Sequence, residues 1–70
     1  MKMNEKELQV EIAHCLIRIR ECREELLRNY DNGVPLSSSV MVGLGCEVTD
    51  LGTRLVELDR QYEELILRLA

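Results

Sequence analysis

Apolar residues recur at alternating steps of four and three along the first half of the chain. The repeat is formed by Leu8, Ile12, Cys15, Ile19, Cys22 and Leu26. This spacing is typical of a helix that buries one narrow stripe against another helix. It predicts a first helix over about residues 5–30. Asn4 is the expected N-cap, Glu7 completes a capping box, and Met3 and Leu8 occupy the positions of a hydrophobic staple.

The second half carries a longer repeat of the same kind. Its members are Met41, Leu44, Val48, Leu51, Leu55, Leu58, Tyr62, Leu65 and Leu69. They predict a second helix over about residues 38–69. Ser37 is the preferred N-cap, since it puts Leu36 and Met41 at staple positions, and Ser38 or Ser39 is the alternative.

A short turn, residues 31–36, joins the two predicted helices. Asp31, Asn32 and Gly33 tolerate a left-handed backbone, and Pro35 cannot continue a helix. Because the connection is only about six residues long, the second helix is expected to fold back on the first. The sequence therefore predicts an all-α antiparallel helical hairpin, one domain covering residues 1–70, in which position i faces about position 69 minus i.

Both predicted helices also carry apolar or small residues outside these two stripes. Such residues would form exposed ridges on a lone hairpin, and exposed ridges of this kind mark interfaces. We therefore expect a homodimer of hairpins in a four-helix bundle. The candidate interface residues are Val10, Ala13, Ile17, Tyr30, Gly45, Thr49, Gly52 and Val56. The alternative interpretation of the glycines is that Gly43 and Gly45 kink the second helix.

Composition agrees with helix-on-helix packing. The chain is 46% hydrophobic without Phe or Trp, and its apolar residues are mainly twelve Leu, six Val and four Ile. A core of this size usually leaves a net stability of only about 3–5 kcal/mol, so assembly would help it. The net charge of −4 argues against nonspecific binding to nucleic acid.

The acidic excess lies in the second half, where residues 31–70 contain seven acidic and three basic residues. Four acidic residues near the open end of the hairpin form a candidate face for a basic partner: Glu57, Asp59, Glu63 and Glu64. A solvated helix face is the alternative interpretation. Across the hairpin, Arg18 and Arg23 are expected near Asp50 and Glu47.

The sequence offers little for catalysis or metal binding. His14 is the single histidine, and Cys15, Cys22 and Cys46 lack the spacing of a zinc site. We therefore expect no catalytic residue, no metal and no cofactor. Cys15 and Cys22 lie on the apolar stripe, where reduced thiols suit a reducing cytoplasm. The chain shows no apolar segment typical of a signal peptide or membrane span.

The leading functional hypothesis is a small non-enzymatic protein–protein interaction module. It would act as a regulator, adaptor or inhibitor by docking a helix face on a larger protein. A purely structural, self-assembling bundle is an alternative. A further alternative is an enzyme, which a resemblance to a known family suggests.

A helix, a glycine-containing turn and a second helix with acidic residues form the pattern that carries this resemblance. The residues concerned are Gly33, Leu36, Val40 and Glu57-Leu58-Asp59. The pattern resembles the small sporulation aspartyl-phosphate phosphatases, which dephosphorylate response-regulator receivers. The resemblance implies that Glu47, or Glu57 with Asp59, orients a water or contacts the receiver. The family's Ser-Gln-Glu-Leu-Asp signature opens its second helix, whereas residues 57–59 match only its last three positions and lie farther along.

Overall fold

The chain forms two long helices packed against each other, as seen in a computed structural model that describes residues 3–69. Helix α1 spans Glu5–Asp31 and helix α2 spans Ser39–Leu69. Ion pairs join Glu11 to Arg54 and Arg18 to Glu47, so α2 runs antiparallel to α1. Residues 3–69 contain no strand. The predicted all-α helical hairpin is therefore confirmed.

The start of α1 is fixed by a reciprocal capping box. The Asn4 side chain accepts a hydrogen bond from the Glu7 backbone N–H at 2.8 Å, and the Asn4 backbone N–H donates to the Glu7 carboxylate at 3.3 Å. These two bonds satisfy backbone donors that the first turn leaves without partners. The predicted capping box is confirmed, and Met3 packs against the core cluster that contains Leu8.

The end of α1 has the hydrogen bonds of a Schellman motif. The Val34 N–H donates to the Asn29 carbonyl at 2.9 Å, and the Gly33 N–H donates to the Tyr30 carbonyl at 3.0 Å. Gly33 has φ 82°, a left-handed conformation that a residue without Cβ adopts without strain. Because this motif closes after Asp31, α1 ends one residue later than the sequence predicts.

The start of α2 lies one residue later than expected. The Ser38 hydroxyl accepts a hydrogen bond from the Met41 backbone N–H at 3.3 Å, so Ser38 is the N-cap and Ser37 is not. The shift arises because residues 35–38 form a turn in which the Ser38 N–H donates to the Pro35 carbonyl at 3.0 Å. The predicted staple is lost with the shift, and Leu36 leaves 69% of its surface exposed.

The core consists of the two predicted stripes. Leu8, Cys15 and Leu58 form a cluster in the half of the hairpin away from the turn. Six partly buried side chains cover it: Met3, Ile12, Leu51, Leu55, Tyr62 and Leu65. Cys22 is completely buried, and Ile19, Met41 and Leu44 complete the buried set among the described residues. Apart from Met3, every member of this core belongs to a stripe.

Helix α2 continues without interruption through its glycines. Gly43, Gly45 and Gly52 all lie within Ser39–Leu69, and none of them has a positive φ. A Cβ atom built at any of the three would meet no other atom within 4 Å. Helix α1 is therefore not the helix that packs closely on the small residues of α2.

Candidate interaction surfaces

One broad side of the hairpin is closed by ion pairs between the helices. The Arg18 guanidinium binds both carboxylate oxygens of Glu47, with the second N–O distance at 3.0 Å. Arg54 binds Glu11 at 3.0 Å. Hydrogen bonds from Arg18 are the main cause that lowers the pKa of the Glu47 carboxyl. Glu47 thus pairs with Arg18, and the expectation that Glu47 lies beside Arg23 was wrong.

These ion pairs orient both helices around their axes. Each of the four charged residues immediately precedes a stripe residue: Glu11 precedes Ile12, Arg18 precedes Ile19, Glu47 precedes Val48, and Arg54 precedes Leu55. Successive residues of an α-helix lie about 100° apart around the axis. Residues that precede a stripe residue therefore share one side of the hairpin, which we call the polar face. Residues that follow a stripe residue share the opposite side.

That opposite side is lined mostly by apolar and small residues, and we call it the apolar face. Its apolar and small members are Ala13, Leu16, Leu27 and Tyr30 of α1 with Val42, Gly45, Thr49, Gly52, Val56 and Ile66 of α2. Tyr30 is included because it follows Asn29, which lies three residues after Leu26 and continues the spacing of the α1 stripe. Gly45 and Gly52 are half-buried, and the other eight residues are exposed, with Val56 70% exposed. No ion pair joins the two helices across this face within residues 3–69. The candidates Tyr30, Gly45, Thr49, Gly52 and Val56 therefore lie together.

The predicted ridge of α1 lies elsewhere. Val10 and Ile17 are placed almost opposite the apolar stripe, on the side of α1 that faces away from α2, and Ala13 lies between this side and the apolar face. All three are exposed, with Ile17 exposing 56% of its surface. We call Val10, Ala13 and Ile17 the outer ridge, of which Ala13 also borders the apolar face. The structure thus divides the predicted interface residues between two surfaces.

The four candidate acidic residues are divided between the two flanks of the α2 stripe, and their role as a partner-binding face stays a prediction. Glu57 and Glu64 are both bound by Arg60, which lies three residues after the first and four before the second. Hydrogen bonds from Arg60 are the main cause that lowers the pKa of Glu57. Asp59 and Glu63 immediately follow stripe residues and so lie at the edge of the apolar face.

The carboxylates that the phosphatase resemblance singles out are also separated. Leu58 is 2% exposed, and Glu57 and Asp59 lie on either side of it. They are therefore about 200° apart around the helix and cannot orient one water together. Glu47 is held in its ion pair with Arg18.

Groups for other chemistry are dispersed. Within residues 3–69, no three His, Cys, Asp or Glu side chains converge on a position for a metal ion. His14 is exposed on the polar face. Cys15 and Cys22 are buried free thiols, and Cys46 is exposed, as expected for a residue outside the stripe. Burial is the main cause that raises the pKa of the Cys22 thiol.

Comparison with known proteins returns no match to a family model, to a curated protein or to a solved structure. Within residues 3–69, neither helix has an apolar stretch of the length needed to cross a membrane.

Sequence reasoning missed four members of the apolar face: Leu16, Leu27, Val42 and Ile66. Each of them follows a stripe residue, so a signal was present in the repeat. It becomes meaningful only when the ion pairs show that the same flank of both helices faces the same way.

Proposed function

We propose that this chain is a non-enzymatic protein–protein interaction module that docks on a larger protein as a regulator, adaptor or inhibitor. We further propose that it works as a homodimer of hairpins in a four-helix bundle. One observation carries both proposals. Among the described residues, seven apolar side chains are buried, whereas twelve large apolar side chains are exposed.

The outer ridge is the proposed docking surface for the larger protein. Val10 and Ile17 lie seven residues apart, and Ala13 lies between them, so they form an aliphatic line two helical turns long. Such a line suits an apolar groove on a partner, as in other helix-in-groove complexes. The ridge faces away from α2, so a partner can reach it without opening the hairpin.

The proposed setting is the cytoplasm. The three cysteines are free, and Cys22 is completely buried. A reducing compartment keeps such thiols in the form that packs as a small apolar side chain.

Affinity capture followed by a binding measurement tests the docking proposal. The tagged chain is used to capture proteins from its native lysate, and the main captured protein is purified and titrated calorimetrically. Ile17→Asp should weaken its binding at least tenfold, because the substitution puts a charge in an apolar contact. Leu67→Asp is the matched control, since Leu67 is 75% exposed and lies outside both surfaces.

Three outcomes decide between the hypotheses. Weakened binding for Ile17→Asp alone supports the proposal. Capture of no other protein contradicts it and favours the purely structural bundle. Capture of a receiver protein whose aspartyl phosphate is hydrolysed catalytically by this chain contradicts it in favour of the phosphatase alternative.

A further inference from the structure

The hairpin exposes more surface than a compact protein of its mass. The hairpin measures 51 × 18 × 15 Å, so it is one helix thick and has no second layer. It exposes 5412 Å², whereas a compact monomer of 8.1 kDa exposes about 4500 Å². The excess of about 900 Å² is close to the roughly 800 Å² that each partner buries in a standard stable interface.

Charged residues at the edges of this face are arranged in two groups of opposite sign. Arg20 and Arg23 follow stripe residues of α1 and lie on the turn side of Arg18. Asp59 and Glu63 follow stripe residues of α2 and lie beyond Arg54, toward the open end. The ion pairs Arg18–Glu47 and Glu11–Arg54 fix this order along the hairpin.

The charges distinguish the two ways in which a second copy can cover the face. If both turns lie at the same end, the arginines of the two copies lie at one level and the acidic groups at another, so like charges share a level. If the second copy is turned end for end, the basic group of each copy lies level with the acidic group of the other. Complementary charges favour the second arrangement.

The small residues of α2 indicate where along the helix the two-fold axis of this arrangement lies. Gly52 and Val56 are one turn apart near the middle of the face, and a Cβ at Gly52 would meet open space. A two-fold axis between them lets Val56 of each copy pack on Gly52 of the other. The Gln9 side chain donates a hydrogen bond to the Tyr62 hydroxyl across the hairpin, a register that places Arg20 about level with Asp50. The same axis then brings Arg20 within about one residue of the level of the other copy's Asp59, at 1.5 Å per residue.

We propose that the apolar face binds a second copy of this chain turned end for end, about a two-fold axis that passes between Gly52 and Val56. In this arrangement α2 packs on α2 of the other copy, so Arg20 and Arg23 of each copy lie level with Asp59 and Glu63 of the other, on the diagonally opposite helix. This inference rests on the proposed homodimer and is independent of docking by the outer ridge.

A matched pair of glycine variants tests which face is used. Gly43 and Gly52 both lie within α2 and both face open space, but Gly43 precedes a stripe residue and so lies on the polar face. Gly52→Leu should raise the dimer dissociation constant at least tenfold, whereas Gly43→Leu should leave it unchanged. Sedimentation equilibrium measures both, with wild type expected at twice 8.1 kDa. Circular dichroism checks that both variants stay helical.

A distance between two spin labels tests the orientation. Ser37→Cys with Cys46→Ser places the label in the exposed turn and removes the exposed thiol. The turn is 17 residues from the proposed axis, so two labels should be about 50 Å apart in the end-for-end dimer. Charge reversal of Arg20 and Arg23 to Glu should weaken the dimer, and adding Asp59→Lys and Glu63→Lys should restore it.

The outcomes separate this inference from the proposed function. A dimer with a label distance below about 25 Å overturns the orientation, and equal dissociation constants for Gly43→Leu and Gly52→Leu overturn the face. If only Ile17→Asp abolishes the dimer, the contact lies on the outer ridge. That result overturns the inference about the apolar face but leaves the proposed homodimer in place. If the wild type is a monomer at all concentrations, the inference and the proposed homodimer are both wrong. Docking by the outer ridge is then decided by the capture and titration experiment.

Discussion

Replacement of Leu58 by Ala should remove a large part of the hairpin's stability. Leu58 is 2% exposed and belongs to the core cluster with Leu8 and Cys15. Burying a leucine side chain contributes about 1.5–3 kcal/mol, and the cavity left behind raises the cost of Leu→Ala to about 2–5 kcal/mol. A chain of this size has a net stability of about 3–5 kcal/mol, so the variant should be close to unfolded.

The same substitution at Leu67 provides the control. Leu67 lies on the same helix but is 75% exposed, so Leu67→Ala should change stability by no more than about 0.5 kcal/mol. Urea titrations of both variants at one protein concentration, followed by circular dichroism at 222 nm, measure the two free energies of unfolding. If Leu67→Ala costs as much as Leu58→Ala, the assignment of the buried stripe on α2 is wrong.

Three further predictions concern the thiols, pH and the helix cap. A thiol reagent should modify Cys46 in the native protein and leave Cys15 and Cys22 unmodified until denaturant is added, with mass spectrometry giving the number of modified thiols. The lowered pKa of Glu47 adds stability above its unfolded pKa, and this stability is lost as the pH falls through the lower folded value. The melting temperature of the wild type should therefore fall as the pH drops below 4.5, the ordinary glutamate pKa, and that of Glu47→Gln should fall less. Asn4→Ala should cost about 1 kcal/mol in urea titrations, because it removes the capping box, and an unchanged midpoint would contradict that role.

The hairpin could be predicted from the sequence because its signals are local and periodic. The stripes from Leu8 to Leu26 and from Met41 to Leu69 define the buried sides, and Asn4 and Gly33 define the ends of α1 by their backbone chemistry. The sequence leaves three possible starts for α2, because each of three consecutive serines can cap a helix. The turn that begins at Pro35 decides between them.

The arrangement of the surfaces could not be predicted, because it depends on how the helices are rotated relative to each other. The sequence predicts Arg23 beside Glu47, whereas Glu47 binds Arg18. That ion pair reveals which flank of each stripe faces the same way. Once the flanks are assigned, Gly52 and Val56 belong to the apolar face and Val10 and Ile17 belong to the outer ridge.

Isotope-filtered nuclear Overhauser spectroscopy detects the contacts of the proposed dimer without any substitution. A sample prepared from equal amounts of labelled and unlabelled chain reports only contacts between different copies. We predict intermolecular signals between the Val56 methyl groups and the Gly52 α-protons. Signals that instead connect the methyl groups of Val10 or Ile17 to the other copy, with none at Gly52, would contradict this prediction.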